Sequence, residues 1–147
     1  MRTQFTLAEF KYLAKKSLKN IYPLYEIENI IYLIFEKQLN IKKIDALLNS
    51  NYTIPQEKID KLLSTVDELK RRKPIQHILG ETEFYDLTIR VDEQTLIPRQ
   101  ETEELVDWII KNDQGDDTQK IIDIGTGTGC IAIALAKFLP QTNVEGI

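Results

Sequence analysis

A chain of 147 residues with 42% hydrophobic content holds one ordinary domain or two small ones, with enough apolar mass for a packed core. Nineteen lysines and arginines against 23 acidic side chains give a net charge of -4 and a pI near 5.1, which excludes a surface built throughout to follow a phosphate backbone but leaves room for a local basic patch. One cysteine cannot form an internal disulfide, one histidine without a Cys/His cluster excludes a zinc site of ordinary ligand spacing, and no stretch has the layout of a membrane span or a signal peptide, so the expected compartment is the cytoplasm and no membrane partner is expected.

Helices come first. Thr6 and Glu9 have capping-box spacing, and Leu7, Phe10, Leu13, Ala14, Leu18 and Ile21 recur at helical period. Pro23 suits the start of a second helix with the stripe Ile27, Ile30, Ile31, Ile34, Phe35 and Leu39. A short third helix is expected to carry Ile44, Leu47 and Leu48. Thr53 and Gln56 offer another capping box, ahead of a fourth helix marked by Ile59, Leu62, Leu63, Val66 and Leu69 and ending near Lys70 to Lys73. No glycine precedes Gly80, and the stripes are expected to bury one another in a helical bundle over residues 1–80.

From Gly80 the texture becomes strand-like. Phe84, Leu87, Ile89 and Val91 alternate with polar residues around a tight turn at Tyr85-Asp86, so residues 81–97 read as a β-hairpin linker between two domains. After Pro98, Glu101, Glu103 and Glu104 form the acidic first turn of a helix with Leu105, Val106, Ile109 and Ile110. A polar loop, "NDQGDDTQ", follows. "IIDIGTGTGC" is then a strand feeding a glycine loop, "CIAIALAKFL" a helix stopped by Pro140, and "NVEGI" the start of a second strand. Residues 98–147 therefore open a parallel α/β sheet.

A strand that enters a helix through Gly-x-Gly-x-Gly lets a ligand approach bare backbone, and the helix start offers free N–H groups. A dinucleotide fingerprint would need glycine where Cys130 stands, and no Gly-Lys-Ser/Thr of a triphosphate loop follows. What fits is acidic-x-Gly-x-Gly-x-Gly, Asp123 to Gly129, which resembles the first motif of S-adenosylmethionine-dependent methyltransferases with a Rossmann-like sheet. The plain alternative is a tight βα turn, for which three glycines are more than is needed.

The stretch "KPIQHILGETEFYDLTIRVDEQTLIPRQETEELVDWII" narrows this, because it closely resembles the segment in which release-factor glutamine methyltransferases (PrmC, also called HemK) carry Pro-Ile, Glu-Phe-Tyr/Trp and Leu-Ile-Pro-Arg-Pro-Glu/Asp-Thr-Glu. The likeness spans roughly Lys73 to Ala136, with Gln100 in place of the usual proline after Arg99. The resemblance implies an N-terminal helical recognition bundle, a β-hairpin linker and the truncated beginning of a class I methyltransferase domain, α followed by α/β. It implies methylation of the side-chain amide nitrogen of the glutamine in the Gly-Gly-Gln loop of peptide-chain release factors, with S-adenosylmethionine as cofactor and no direct nucleic-acid partner. Candidate cofactor-binding residues are then Asp123, Gly125, Thr126, Gly127, Thr128 and Gly129. Arg99, Glu101 and Thr102 stand equally between helix-start and cofactor-side roles.

The family's Asn-Pro-Pro-Tyr motif, which would hold the substrate amide, does not occur in this sequence, so no catalytic residue and no metal ligand is assigned and the fragment by itself is expected to be inactive. Glu145 is the one acid near the position of the family's ribose-binding carboxylate, but mid-strand placement disfavours it. His77 reads as structural, Cys130 as a small packing residue and Trp108 as core. Lys70 to Lys73 suit either a solvated helix end or a patch facing an acidic or RNA-bound partner. Rival readings are a nucleic-acid or other protein methyltransferase with the same cofactor, or a non-catalytic release-factor-binding module.

Overall fold

The computed structural model describes residues 5–112 and 120–147. They fall into two compact units, one ending at Ile78 and one beginning at Leu79.

The first unit is helical. Helix α1 (Leu7–Leu18) opens with the expected capping box: Thr6 Oγ1 accepts from the Glu9 N–H at 3.2 Å and Glu9 accepts from the Thr6 N–H at 3.0 Å. Helix α2 (Leu24–Ile34) runs into a π-helical turn, Phe35–Leu39, closed by Asn40 in the left-handed region. Helices α3 (Lys43–Leu48) and α4 (Gln56–Lys70) follow, and a short α5 (Ile75–Leu79) crosses the division between the units. Helix α1 packs on α2 and α4, burying Phe10, Leu18, Ile31, Phe35, Leu62 and Leu69 almost completely. Apolar periodicity thus becomes core, as the 3.6-residue repeat dictates.

Two sequence expectations fail here. The Thr53–Gln56 capping box does not form: α4 begins at Gln56 after Pro55, with no side-chain cap. Thr53 instead bridges Thr6, and residues 50–54 run alongside 5–8 through Leu7 N–H to Tyr52 O, Ala8 N–H to Ser50 O and Ile54 N–H to Phe5 O bonds. The α3 stripe is not buried either. Ala46 is its one buried residue, while Ile44, Leu47 and Leu48 are exposed: with Ala46 turned inward, residues two positions to either side of it fall on the opposite side of the helix.

The second unit begins with an antiparallel hairpin, β1 (Glu81–Phe84) and β2 (Leu87–Arg90), joined by Tyr85 and Asp86, both at positive φ as a type I′ turn requires. Helix α6 (Gln100–Asn112), strand β3 (Lys120–Asp123), helix α7 (Cys130–Phe138) and strand β4 (Asn143–Gly146) complete it, with β3 and β4 parallel and Asp123 opposite Gly146. Most of the polar loop expected at 112–119 lies outside the described residues. One core joins Phe84 and Ile89 of the hairpin to Val106, Cys130, Ala134, Leu135 and Leu139. Trp108, expected in that core, is 63% exposed: Val106 and Ile110 turn inward, and a residue two positions from Val106 falls on the opposite side of a helix. Among the described residues no helix is long and apolar enough to cross a membrane.

Candidate functional site

The glycine loop sits between β3 and α7. Gly125, Gly127 and Gly129 all have positive φ, +74°, +55° and +75°, a region that side chains other than glycine's rarely adopt. Their surroundings differ. A Cβ on Gly125 would meet nothing within 4 Å, and one on Gly127 only the Gly125 carbonyl at 3.9 Å, so the loop presents bare backbone to open space. A Cβ on Gly129 would meet Ile133 Cδ1 at 3.2 Å, so this glycine serves packing against the first turn of α7. That helix starts without a side-chain cap, leaving its first-turn N–H groups beside the loop.

Asp123 ends β3 and accepts a hydrogen bond at 2.8 Å from Thr126 Oγ1, which fixes the carboxylate across the loop. The Gly125 and Thr126 N–H groups donate to Ile147 O, and Ile147 N–H donates to Asp123 O, so the end of β4 braces the loop from below. Gly146 makes room for this: a Cβ there would stand 2.7 Å from Thr126 Oγ1. Sequence reasoning named Asp123 and Thr126 but missed Gly146, whose only signal was a small residue in the second strand.

Arg99 and Glu101 are exposed at the start of α6, and Thr102 N–H donates to Arg99 O. Among the described residues, none of these three side chains hydrogen-bonds to the Asp123–Gly129 loop. Their neighbour Glu103, read from sequence only as part of an acidic first turn, accepts from the Tyr85 N–H at 3.0 Å and so secures the hairpin turn. Tyr85 donates to Asp107 at 3.3 Å and stacks edge-on against Phe138, with ring centroids 5.0 Å apart. Burial, and then the Asp107 charge, raise the Tyr85 phenol above its ordinary pKa, while the Lys111 hydrogen bond holds Asp107 below the usual carboxylate value. No local signal links residues eighteen apart, which is why sequence periodicity could not find the Tyr85–Glu103 contact.

The remaining candidates are quickly placed. Cys130 is buried in the core. Glu145 lies mid-strand opposite Ile122 and is exposed. Lys70 pairs with Asp67 at 2.7 Å and Lys73 with Glu68 at 2.8 Å, so two of the four cations in that run pair with carboxylates of α4. His77 Nε2 is buried with no hydrogen-bond partner among the described residues.

Residues 13–80 match the family model of the PrmC N-terminal domain. The release factor glutamine methyltransferase of Flavobacterium psychrophilum is 44% identical over 99% of this chain and 49% of its own length. That of Bacteroides thetaiotaomicron is 38% identical over 89% of the chain and 46% of its length, and that of Lactococcus lactis 53% identical over 58% and 32%. The chain belongs to the release factor glutamine methyltransferase family. It spans about half the length of the curated relatives it matches. The Flavobacterium match covers 99% of the chain, and so takes in both the helical unit and the glycine loop.

Proposed function

We propose that the protein transfers a methyl group from S-adenosylmethionine to the side-chain amide nitrogen of the glutamine in the Gly-Gly-Gln loop of peptide-chain release factors. The observation that carries this reading is the loop from Asp123 to Gly129, where two glycines at positive φ face open space beside a carboxylate fixed by Thr126, in a chain of this family. Such bare backbone fits a cofactor with a methionine and an adenosine part, and a Cβ at Gly125 or Gly127 would fill the cradle. Gly125 to Gly129 would hold the cofactor by backbone, Asp123 would receive its amino group, and Arg99, Glu101 and Thr102 would line the approach. When bound, S-adenosylmethionine supplies an activated methyl on a sulfonium.

A carboxamide nitrogen is a weak nucleophile, because its lone pair is delocalised. Rate therefore depends on holding it in line with the methyl and on acceptors for its N–H bonds as charge develops. Residues for that step are not assigned within this sequence. We read residues 1–80 as a unit that adds release-factor affinity, 81–97 as the hairpin connector and 98–147 as the opening of a Rossmann-like sheet. The exposed apolar side chains Ile122, Ile124 and Ile133 are the kind of surface that a larger parallel sheet buries on both faces.

Labelled methyl transfer by the full-length protein tests the reading. Incorporation into the Gly-Gly-Gln glutamine, lost when that glutamine is replaced by alanine, is expected. Transfer to RNA or DNA in its place would refute it.

A further inference from the structure

The helical unit carries a second feature, away from the glycine loop in sequence. Lys11 and Lys15 of α1 and Lys43 of α3 converge on α2. Lys11 Nζ donates to Tyr32 Oη at 2.6 Å and lies 3.8 Å from Glu28 Oε1, and the ammonium groups of Lys11 and Lys43 stand 4.6 and 5.1 Å from the Tyr32 ring centroid. Lys15 pairs with the same Glu28. Its hydrogen bond and charge, then Lys11 and finally Lys43, hold the Glu28 carboxyl below its usual value. Two ammonium groups thus share the Glu28 carboxylate and a third, Lys43, stands over the neighbouring Tyr32 ring, an excess of positive charge on a chain whose net charge is -4.

Beside this cluster opens a cavity of about 320 Å³. Leu7, Phe35, Ala46 and Leu47 give it an apolar lining, Lys11 and Lys15 stand among its walls, and no aspartate or glutamate lines it. Leu47 is 55% exposed, although it is a large aliphatic side chain on a helix that otherwise buries only Ala46. Apolar lining with a cationic rim is complementary to a peptide that joins an apolar side chain to carboxylates. Tyr12, Tyr32 and Phe35 also line the cavity, but a nucleic-acid strand would call for a longer cationic track than three lysines gathered around Glu28 and Tyr32.

We propose that this α1–α2–α3 face docks an acidic segment of the protein substrate, with an apolar side chain of that segment entering the cavity against Leu47 and its carboxylates pairing with Lys11, Lys15 and Lys43. The proposal rests on the reading that a release factor is the substrate.

Two variants of the full-length protein test it: Lys15→Glu/Lys43→Glu, which reverses the charges of half-buried Lys15 and exposed Lys43, and Leu47→Ser, which removes the apolar contact. Thermal melts of each variant, expected to be cooperative, check that it is folded. With purified release factor as probe, each variant should raise KM for release factor about tenfold, with kcat and the S-adenosylmethionine KM within about twofold of wild type. The wild-type KM should rise with ionic strength, and the charge-reversed variant should lose most of that dependence. Unchanged KM in both variants, with wild type active, overturns the docking face and leaves the reaction assignment standing. Displacement of release factor from wild type, but not from the charge-reversed variant, by a short single-stranded RNA overturns the acidic-peptide partner. A wild-type protein that does not methylate release factor overturns the reaction assignment itself, and the docking proposal with it.

Discussion

Replacing Gly127 with alanine separates the fold of the glycine loop from its proposed use. At φ +55° a residue with a Cβ costs about 1–2 kcal/mol. Nothing adds to that, because the new methyl would meet only the Gly125 carbonyl at 3.9 Å, an ordinary contact. Gly129→Ala carries the same backbone strain at φ +75°, and in addition its methyl would press on Ile133 Cδ1 at 3.2 Å, which adds about 1 kcal/mol of overpacking. Calorimetric melts should therefore rank Gly129→Ala as the less stable variant, with Gly127→Ala about 5–15 °C below wild type for a unit of this size. Titration calorimetry of the full-length protein with S-adenosylmethionine should give the reverse order. Gly127→Ala places its methyl in the space the ligand needs, so binding should weaken at least about tenfold, ~1.4 kcal/mol, whereas the Gly129 methyl points at Ile133 and should change affinity little. Affinity of Gly127→Ala within twofold of wild type would refute the assignment of this loop to the cofactor.

Other consequences concern stability and pH. Gln38 is buried, its Nε2 donates to Thr65 Oγ1 at 2.9 Å and its Oε1 has no partner among the described residues, so Thr65→Val alone should cost about 1–3 kcal/mol in urea unfolding while Gln38→Leu/Thr65→Val should be nearly neutral. Thr6→Ala should cost about 1 kcal/mol by removing the α1 cap, read as faster amide exchange in the first turn of α1. Glu28, Asp67 and Asp107 are each held below their ordinary values, chiefly by hydrogen bonds from Lys15, Lys70 and Lys111. Their contribution is therefore fully present above the unfolded values of 4.5 for Glu28 and 3.8 for the two aspartates, and is lost as pH falls through the lower folded values. Melting temperature should accordingly be flat from neutral pH down to about 5 and fall below it, and the fall should be shallower in Glu28→Gln/Asp67→Asn/Asp107→Asn.

What was legible in the sequence was whatever depends on spacing along one element. The Thr6–Glu9 cap, the stripes of α1, α2 and α4, the Tyr85-Asp86 turn and the β3–loop–α7 passage are all decided within a few residues, so periodicity and turn chemistry suffice. The failures share a cause. Thr53 has the chemistry of a cap, but pairing with Thr6, far away in the chain, takes it first. Trp108 is apolar, but the face it occupies is set by where Val106 must go. Glu103 looks like a helix-dipole residue and in fact holds the Tyr85 amide. Each is decided by a partner distant in sequence, and a single sequence carries no record of that pairing. The same logic bears on the site. Spacing reveals that three glycines bend the chain, but only the surroundings divide them, two facing open space and one backed by Ile133. A motif of identical letters therefore contains two environments, bare backbone facing the space proposed for the cofactor and support of a helix, and substitutions at Gly127 and Gly129 should part stability from affinity along that line.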